Sequence, residues 1–311
     1  MNTCAGKKMS TRGGGRAASP PLSVRLKLFG CIILAAFLLA GFAHAASKKS
    51  APHAPKRIVS LAPNITEILF ALGLDSEIVG VTKFCNYPQK AKTKRRTGGL
   101  LDQNFETILD LEPDLVVGLP CNASSISKLK KLGVRTLTVE NETVAEMLDS
   151  IGKIGKATGR TKKAKKLTGN LNKALEASRR PARGGKRPRV LIVVGHNPGS
   201  LQNLYVAGKG TFLDETVRLT GGDNIFGDVN IKYPQPSLEE VVSRNPQIII
   251  ESAVGEYKPS EIKRMASEWS ALRDVDAVKN HRVYVWTEAY VTIPGPRLPL
   301  LLKKLRKTMD E

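Results

Sequence analysis

Short apolar runs of four to seven residues alternate with segments of helical periodicity along most of the chain. The runs predict strands at 57–61, 77–82, 114–118, 134–139, 189–195, 248–251 and 283–286. Helical segments fill the intervals, and Gly73 and Gly133 mark the ends of two of them. The first helix is predicted to be capped by Asn64, with Glu67 in the capping-box position. This alternation predicts an α/β fold with mainly parallel sheets flanked by helices.

The two halves of the pattern repeat one another. A helix capped by Asn104 carries Glu106 and leads, across Pro113, into an apolar strand. A helix capped by Ser237 carries Glu239 and leads into another strand at the same spacing. The repetition predicts two similar lobes, with a ligand cleft outside the ends of their strands.

Between the halves, the chain from 143 to about 178 has apolar positions at three- and four-residue steps. We expect one long α-helix to join the lobes here, although the glycines up to Gly159 also allow a break. The predicted organisation is an N-terminal lobe over 56–142, a linking helix over 143–180 and a C-terminal lobe over 181–311.

The N-terminus has the pattern of a secretory signal peptide. Residues 1–30 are basic and lack acids, the apolar run 31–42 follows, and the segment ends in Ala43-His44-Ala45. The run is shorter than the roughly 20 residues of a membrane span. Residues 1–45 are therefore predicted to be removed after Ala45, leaving a flexible segment over 46–55 and a periplasmic protein. The alternative is an N-terminal membrane anchor.

The charge is concentrated in one stretch. Between Lys153 and Arg189 there are 14 Lys and Arg residues and one acid, Glu176, but no aromatic residue. Nucleic-acid binding would favour interleaved aromatics or a recognised fold, so this stretch is interpreted as a solvated helix and no nucleic-acid partner is expected. Attraction to an anionic membrane surface stays open.

Cleavage would leave two cysteines, Cys85 and Cys121. In an oxidising compartment an even pair predicts one disulfide, and the alternative is two separate small apolar residues.

The sequence contains no complete catalytic or metal-binding motif of the kinds considered below. Gly208-Lys209-Gly210-Thr211 resembles a phosphate loop only superficially, because the required upstream glycine is Asn203. No two histidines lie at metal-ligand spacing. His196 follows a strand, where it is either a hydrogen-bonded loop residue or a ligand contact. We therefore expect neither an enzyme nor a resident metal or cofactor.

Several motifs together resemble the helical-hinge (class III) binding proteins of ABC importers, the group that serves cobalamin, ferric siderophores and haem. The resemblance rests on 56–67, 81–88, 104–117, 207–215, 221–226 and 294–297, and it covers essentially 56–311. It implies two lobes joined by one long helix. It also implies that Glu106 and Glu239, one per lobe, dock a monomeric protein onto arginines of an ABC permease dimer with its ATPase.

Within that family, Phe84-Cys-Asn-Tyr-Pro88 and Asp223-Asn-Ile-Phe226 are most similar to cobalamin-binding members. The resemblance places a corrinoid between side chains at strand ends, here Phe84, Leu100, Tyr233 and Tyr290. Leu100 and Tyr233 stand where the best-known cobalamin binder has tryptophans. Further candidates for ligand contact are Asn64, Tyr87, Tyr205 and Arg297. The implied function is capture of cobalamin or a related corrinoid for import. The alternatives are a ferric siderophore or haem as ligand, or a sensory binding module without transport.

Overall fold

Two sheets, one in each half of the chain, organise the protein. The computed structural model describes residues 54–181, 187–197 and 199–311, and Ala54–Glu311 form one compact unit. The predicted signal peptide over 1–45 and most of the predicted flexible segment over 46–55 lie outside the described residues. Among the residues that the structure describes, no helix combines the length and apolar character needed to cross a bilayer.

The N-terminal sheet has the spatial order β3-β2-β1-β4-β5, and all its pairings are parallel. Its strands are β1 Ile58–Ser60, β2 Ile78–Val81, β3 Arg95–Arg96, β4 Leu115–Gly118 and β5 Thr136–Thr138. Three helices of this lobe are α1 Pro63–Ala71, α2 Phe105–Asp110 and α3 Ala123–Lys131. β1 and β4 are buried throughout, which explains their continuous apolar runs.

The linking segment forms two helices, α4 Val144–Ala157 and α5 Thr161–Ser178. Gly159 has a positive φ of 70°, and the amide of Arg160 donates to the Gly155 carbonyl at 2.7 Å, which ends α4 as a Schellman turn does. A Cβ on Gly155 would lie 2.4 Å from the Cβ of Ala164, so glycine is what lets the two helices meet. The expected single helix over 143–180 is corrected accordingly, and the break near Gly159 is confirmed.

The C-terminal sheet contains β6 Arg189–Gly195, β7 Tyr205–Val206, β8 Asp223–Asn224, β9 Ile248–Ser252 and β10 Val283–Trp286. Its order is β10-β9-β6-β7, and β8 pairs with the beginning of β6. Only the β6–β7 pairing in this described sheet is antiparallel. The helices of this half are α6 Phe212–Leu219, α7 Leu238–Arg244, α8 Pro259–Glu268, α9 Asp276–Lys279 and α10 Leu298–Asp310.

One hydrophobic cluster extends through both halves. It contains Ile58 of β1, Ile192 of β6 and Leu301 of α10, and it also contains Leu171 and Leu175 of α5. At 1.5 Å per residue, the 18 residues of α5 span about 27 Å. The lobes are therefore joined by a packed helix as well as by the chain itself.

Candidate ligand-binding cleft

Large apolar side chains lie exposed beyond the ends of strands in both lobes. Phe84 and Tyr87 follow β2 and are 52% and 49% exposed. Tyr233, on the loop before α7, is 38% exposed, and Val254 and Tyr257 follow β9. Parallel α/β sheets bind ligands outside the carboxyl ends of their strands. Exposed apolar surface at these positions marks the interlobe cleft as the candidate site.

Arg297, at the start of α10, brings several of the predicted residues together. Its guanidinium carbon lies 4.2 Å from the ring centroid of Tyr87 and 5.7 Å from that of Tyr290. Its Nε donates to Oε2 of Glu67 at 2.8 Å, and its Nη2 donates to Oε1 at 2.5 Å. The two side chains are only 12% and 2% exposed. This bidentate ion pair therefore connects the lobes next to two aromatic rings of the candidate site.

The structure contradicts the predicted capping-box role of Glu67. α1 begins at Pro63, and Ala62 occupies the cap position without a side-chain hydrogen bond. Proline supplies the helix start, because its missing N–H would be unpaired there anyway. Asn64 is thus the second residue of α1 and is buried, so the prediction that it caps the helix is wrong. Its Nδ2 has no hydrogen-bond partner among the described residues.

The environment of Glu67 shows why it needs Arg297. Burial raises the pKa of this carboxyl group, and the hydrogen bond and charge of Arg297 act in the opposite direction. In the sequence, Ile65 and Ile68 flank an acid within an apolar helix. An acid in such a helix usually has a buried partner, and this is the signal that would have identified Glu67.

A second set of contacts joins the lobes at Glu142. The hydroxyl of Tyr233 donates to its Oε2 at 3.3 Å, and the amide of Phe212 donates to its backbone carbonyl at 2.6 Å. The amide of Val144 donates to Oε2 of Glu215 at 2.7 Å. Burial and the Glu142 carboxylate raise the pKa of Tyr233.

A recess of about 300 Å³ beside Tyr233 is lined by Val194, Phe212, Leu213, Ser252, Val254 and Thr292.

The remaining predicted contacts have other neighbours. Leu100 is half-buried against the hydrophobic cluster, and its carbonyl accepts from Asn122 Nδ2 at 2.6 Å. Tyr205 begins β7 opposite Gly195 and is 44% exposed. The ring of Phe84 lies 5.3 Å from the ammonium of Lys83.

The predicted disulfide is not formed. Cys85 and Cys121 are both free thiols. Cys85 is buried, and the hydroxyl of Thr66 donates to its Sγ at 3.1 Å. Burial raises the pKa of this thiol, so the neutral form is favoured. Cys121 is exposed and lines a different recess beyond β4. The two residues occupy separate environments, as the alternative interpretation expected.

His196 is fixed within the C-terminal lobe as a cation. Its Nδ1 lies 2.9 Å and 2.7 Å from the carbonyls of Asn197 and Ser200, and its Nε2 lies 3.0 Å from Oε1 of Glu251. Because all three partners are acceptors, both ring nitrogens carry protons. The hydrogen bond that His196 donates to Glu251 is the main cause that raises the pKa of His196 to about 9. The described residues contain no group of three or more His, Cys, Asp or Glu side chains placed to hold a metal.

Glu106 and Glu239 occupy equivalent positions in the two lobes. Asn104 Oδ1 accepts from the amide of Thr107 at 2.9 Å, and Ser237 Oγ accepts from the amide of Glu240 at 3.2 Å. These caps confirm the predicted helix starts and place each glutamate in an exposed first turn. The pKa of Glu239 is lowered by its own backbone amide and by Ser237.

Comparison with known proteins identifies the class that this architecture defines. The model of the family described as periplasmic binding protein matches residues 58–290, and the chain belongs to that family. An uncharacterised ABC transporter substrate-binding lipoprotein of Bacillus subtilis is 34% identical over 252 residues, covering 78% of this chain and 76% of the relative. The vitamin B12-binding protein of Vibrio cholerae serotype O1 is 29% identical over 248 residues, covering 79% and 86% respectively.

Solved structures give the same result. The periplasmic vitamin B12-binding protein of Vibrio cholerae has a TM-score of 0.69 at 26% identity, covering 83% of this chain and 97% of that chain. A possible iron-binding periplasmic protein of Staphylococcus epidermidis has a TM-score of 0.69 at 30% identity, covering 83% and 100%. This chain is therefore a substrate-binding protein of an ABC transporter. It binds a small molecule outside the cytoplasm, works with a permease and an ATPase, and is not an enzyme.

Replacing Glu67 with glutamine should lower the free energy of unfolding by about 3–5 kcal/mol, because Arg297 would keep a buried charge without its partner. Urea unfolding followed by circular dichroism measures the change. The exposed pair Glu176–Arg179 provides the control, since Glu176→Gln should change stability little. The double variant Glu67→Gln/Arg297→Met should recover most of the loss, and a loss that persists would show that the charge pair is not its cause.

The His196–Glu251 pair should stabilise the fold in a pH-dependent manner. The pKa of His196 is raised from 6.5 to about 9, so its stabilisation is complete below about pH 6.5 and disappears as pH rises through about 9. At about 1.4 kcal/mol per pKa unit, the stability difference between wild type and His196→Gln should shrink by about 3 kcal/mol from pH 6 to pH 10. Unfolding both proteins between pH 6 and pH 10 tests this, and a constant difference over that range would contradict it.

Proposed function

We propose that this protein binds cobalamin or a related corrinoid in the cleft between its lobes. The observation that carries the proposal is the placement of exposed tyrosines from both lobes, Tyr87 and Tyr233, beyond strand ends at the interlobe boundary. Aromatic faces bury a large area against a flat macrocycle at little entropic cost. The relatives that bind vitamin B12 support the same ligand.

The charges around the cleft favour a ligand without strong negative charge. Arg297 is paired with Glu67, so its charge is already neutralised. His196 has a proton on both nitrogens and offers no lone pair to an iron atom. Haem carries carboxylates and is bound through an axial ligand, whereas a corrinoid carries neutral amides.

A ferric siderophore is the second candidate. The specific observation in its favour is the similarity to the possible iron-binding protein of Staphylococcus epidermidis, which is 30% identical. Phe84, Leu100, Tyr205 and Tyr290 remain proposed ligand contacts for either substrate, and Asn64 is proposed only as a buried support beneath them. We also propose that the protein acts as a monomer after removal of residues 1–45.

Glu106 and Glu239 are proposed to dock the loaded protein onto the permease dimer. Both are exposed carboxylates in the first turn of a capped helix, and the two helices occupy equivalent places in the repeated halves. Two similar negative points suit a permease made of two like subunits with cationic residues. Helix stabilisation alone does not require an acid at the same place in both halves. The symmetry therefore supports a shared docking role for the two glutamates.

Titration of the purified protein should show tight binding of cyanocobalamin and weaker binding of haem and of a ferric hydroxamate. Tyr87→Ala and Tyr233→Ala should each weaken corrinoid affinity about tenfold, which corresponds to about 1.4 kcal/mol of lost aromatic contact. Isothermal calorimetry measures both effects. Leu132→Ala is the control, because this exposed apolar residue lies just before β5, away from the carboxyl ends of the strands. Preferential binding of the ferric hydroxamate would overturn the corrinoid assignment.

The double variant Glu106→Ala/Glu239→Ala should keep the wild-type affinity for ligand and lose at least tenfold in uptake, because the docking charges would be absent. Uptake of radiolabelled ligand by cells that express the cognate permease measures this. The control removes two other exposed acids, as Asp149→Ala/Asp274→Ala, and should transport normally. Equal transport by both double variants would show that Glu106 and Glu239 do not dock the protein.

A further inference from the structure

The solvent side of α5 carries lysines without acidic partners. Ala164, Leu171, Leu175 and Ser178 form the buried side of this helix. The opposite side and its two flanks expose five lysines, which we call the basic face: Lys162, Lys163, Lys165, Lys166 and Lys173. Lys162, Lys166 and Lys173 point most directly away from the buried side, because they lie on one stripe at the helical repeat of 100° per residue. The face extends over most of a helix about 27 Å long.

This arrangement is unfavourable for the helix itself. Lys162 and Lys163 lie in the first turn, which contains no acid, and the helix dipole disfavours positive charge at that end. Lys162 and Lys166 are four residues apart, so their like charges also repel each other along the helix. A solvated surface ordinarily mixes both signs of charge, which avoids these costs. The ammonium of Lys163 lies against Gly73 at the end of α1, where a cation is favourable. Folding gives no such reason for the other four lysines.

The neighbouring acids do not neutralise the basic face. Glu176 pairs with Arg179 at 3.0 Å, and Asp310 pairs with Arg180. Arg160, at the break before α5, pairs with Glu77 at 2.8 Å. Within the described part of the chain, the salt bridges of this region involve Lys153 and those arginines, and none of the five lysines.

We propose that the basic face binds the anionic headgroup surface of a lipid bilayer. A row of flexible lysines suits a diffuse layer of negative charge, whereas specific phosphate recognition favours the planar fork of arginine. α5 contains no aromatic residue, so the contact is electrostatic and does not insert into the bilayer. A substrate-binding protein outside the cytoplasm works beside the bilayer that holds its permease, so anionic lipid is within its reach.

Vesicle co-sedimentation tests the proposal with the full protein. Vesicles of phosphatidylglycerol and phosphatidylcholine in equal parts should bind it at 50 mM salt, and binding should fall at least tenfold at 300 mM salt. Vesicles of phosphatidylcholine alone should not bind it. The variant Lys162→Gln/Lys166→Gln/Lys173→Gln should lose at least tenfold in binding to the anionic vesicles. Its circular dichroism spectrum and ligand affinity should match wild type, which separates a lost surface from a lost fold.

The control variant removes the same charge elsewhere, as Lys92→Gln/Lys130→Gln/Lys131→Gln, from exposed positions of the N-terminal lobe. It should bind anionic vesicles within twofold of wild type. Equal losses in the two triple variants would overturn the proposal, because net charge alone would then explain binding. The proposal would also fail if soluble polyglutamate bound the basic face while the anionic vesicles did not, since the partner would then be an acidic polypeptide.

Discussion

The arrangement of the two lobes depends on the buried ion pair between Glu67 and Arg297. Removing a carboxylate and a guanidinium from water is costly, and the cost is offset only when both oxygens and both donors meet at hydrogen-bonding distance. Here the bidentate geometry meets that condition, and the ring of Tyr87 covers one side of the guanidinium at 4.2 Å. A change in lobe separation would leave two buried charges unpaired. The pair therefore favours one width of the cleft.

Other contacts restrict the lobes in the same way. Glu142 accepts hydrogen bonds from Tyr233 and Phe212 at a second place on the interlobe boundary. Leu171 and Leu175 of α5 belong to a hydrophobic cluster shared by both halves. A gap held by an ion pair, hydrogen bonds and a packed helix is largely formed before the ligand arrives, so little binding energy is spent on ordering it. A rigid, flat ligand suits such a gap better than a flexible one.

The sequence predicted those features that interactions between neighbouring residues determine. All seven predicted strands are present, and the caps at Asn104 and Ser237 were identified from their neighbours, as was the repetition that pairs Glu106 with Glu239. The partner of Glu67 lies 230 residues further along the chain, and no local pattern reveals such a contact. The predicted disulfide was wrong for the same reason, because an even number of cysteines does not indicate how far apart they lie in the fold. Around Gly159 the apolar periodicity continues across the break and predicted one helix. The positive φ of Gly159 ends the first helix there, and the hydrophobic pattern does not reveal it.

The charged residues differ in whether folding accounts for them. Inside the cleft and the lobes, the charges of Arg297 and His196 are paired with buried glutamates, which those charges require in order to be buried at all. Glu106 and Glu239 are exposed in first helical turns, where the helix dipole favours an acid, so only their symmetry indicates a partner. In the basic face, the helix dipole opposes Lys162 and Lys163 of the first turn, and Lys162 and Lys166 repel each other. Charge that opposes its own helix is stronger evidence of an external partner than charge that stabilises it, and by this criterion the basic face is the clearest interaction surface outside the cleft.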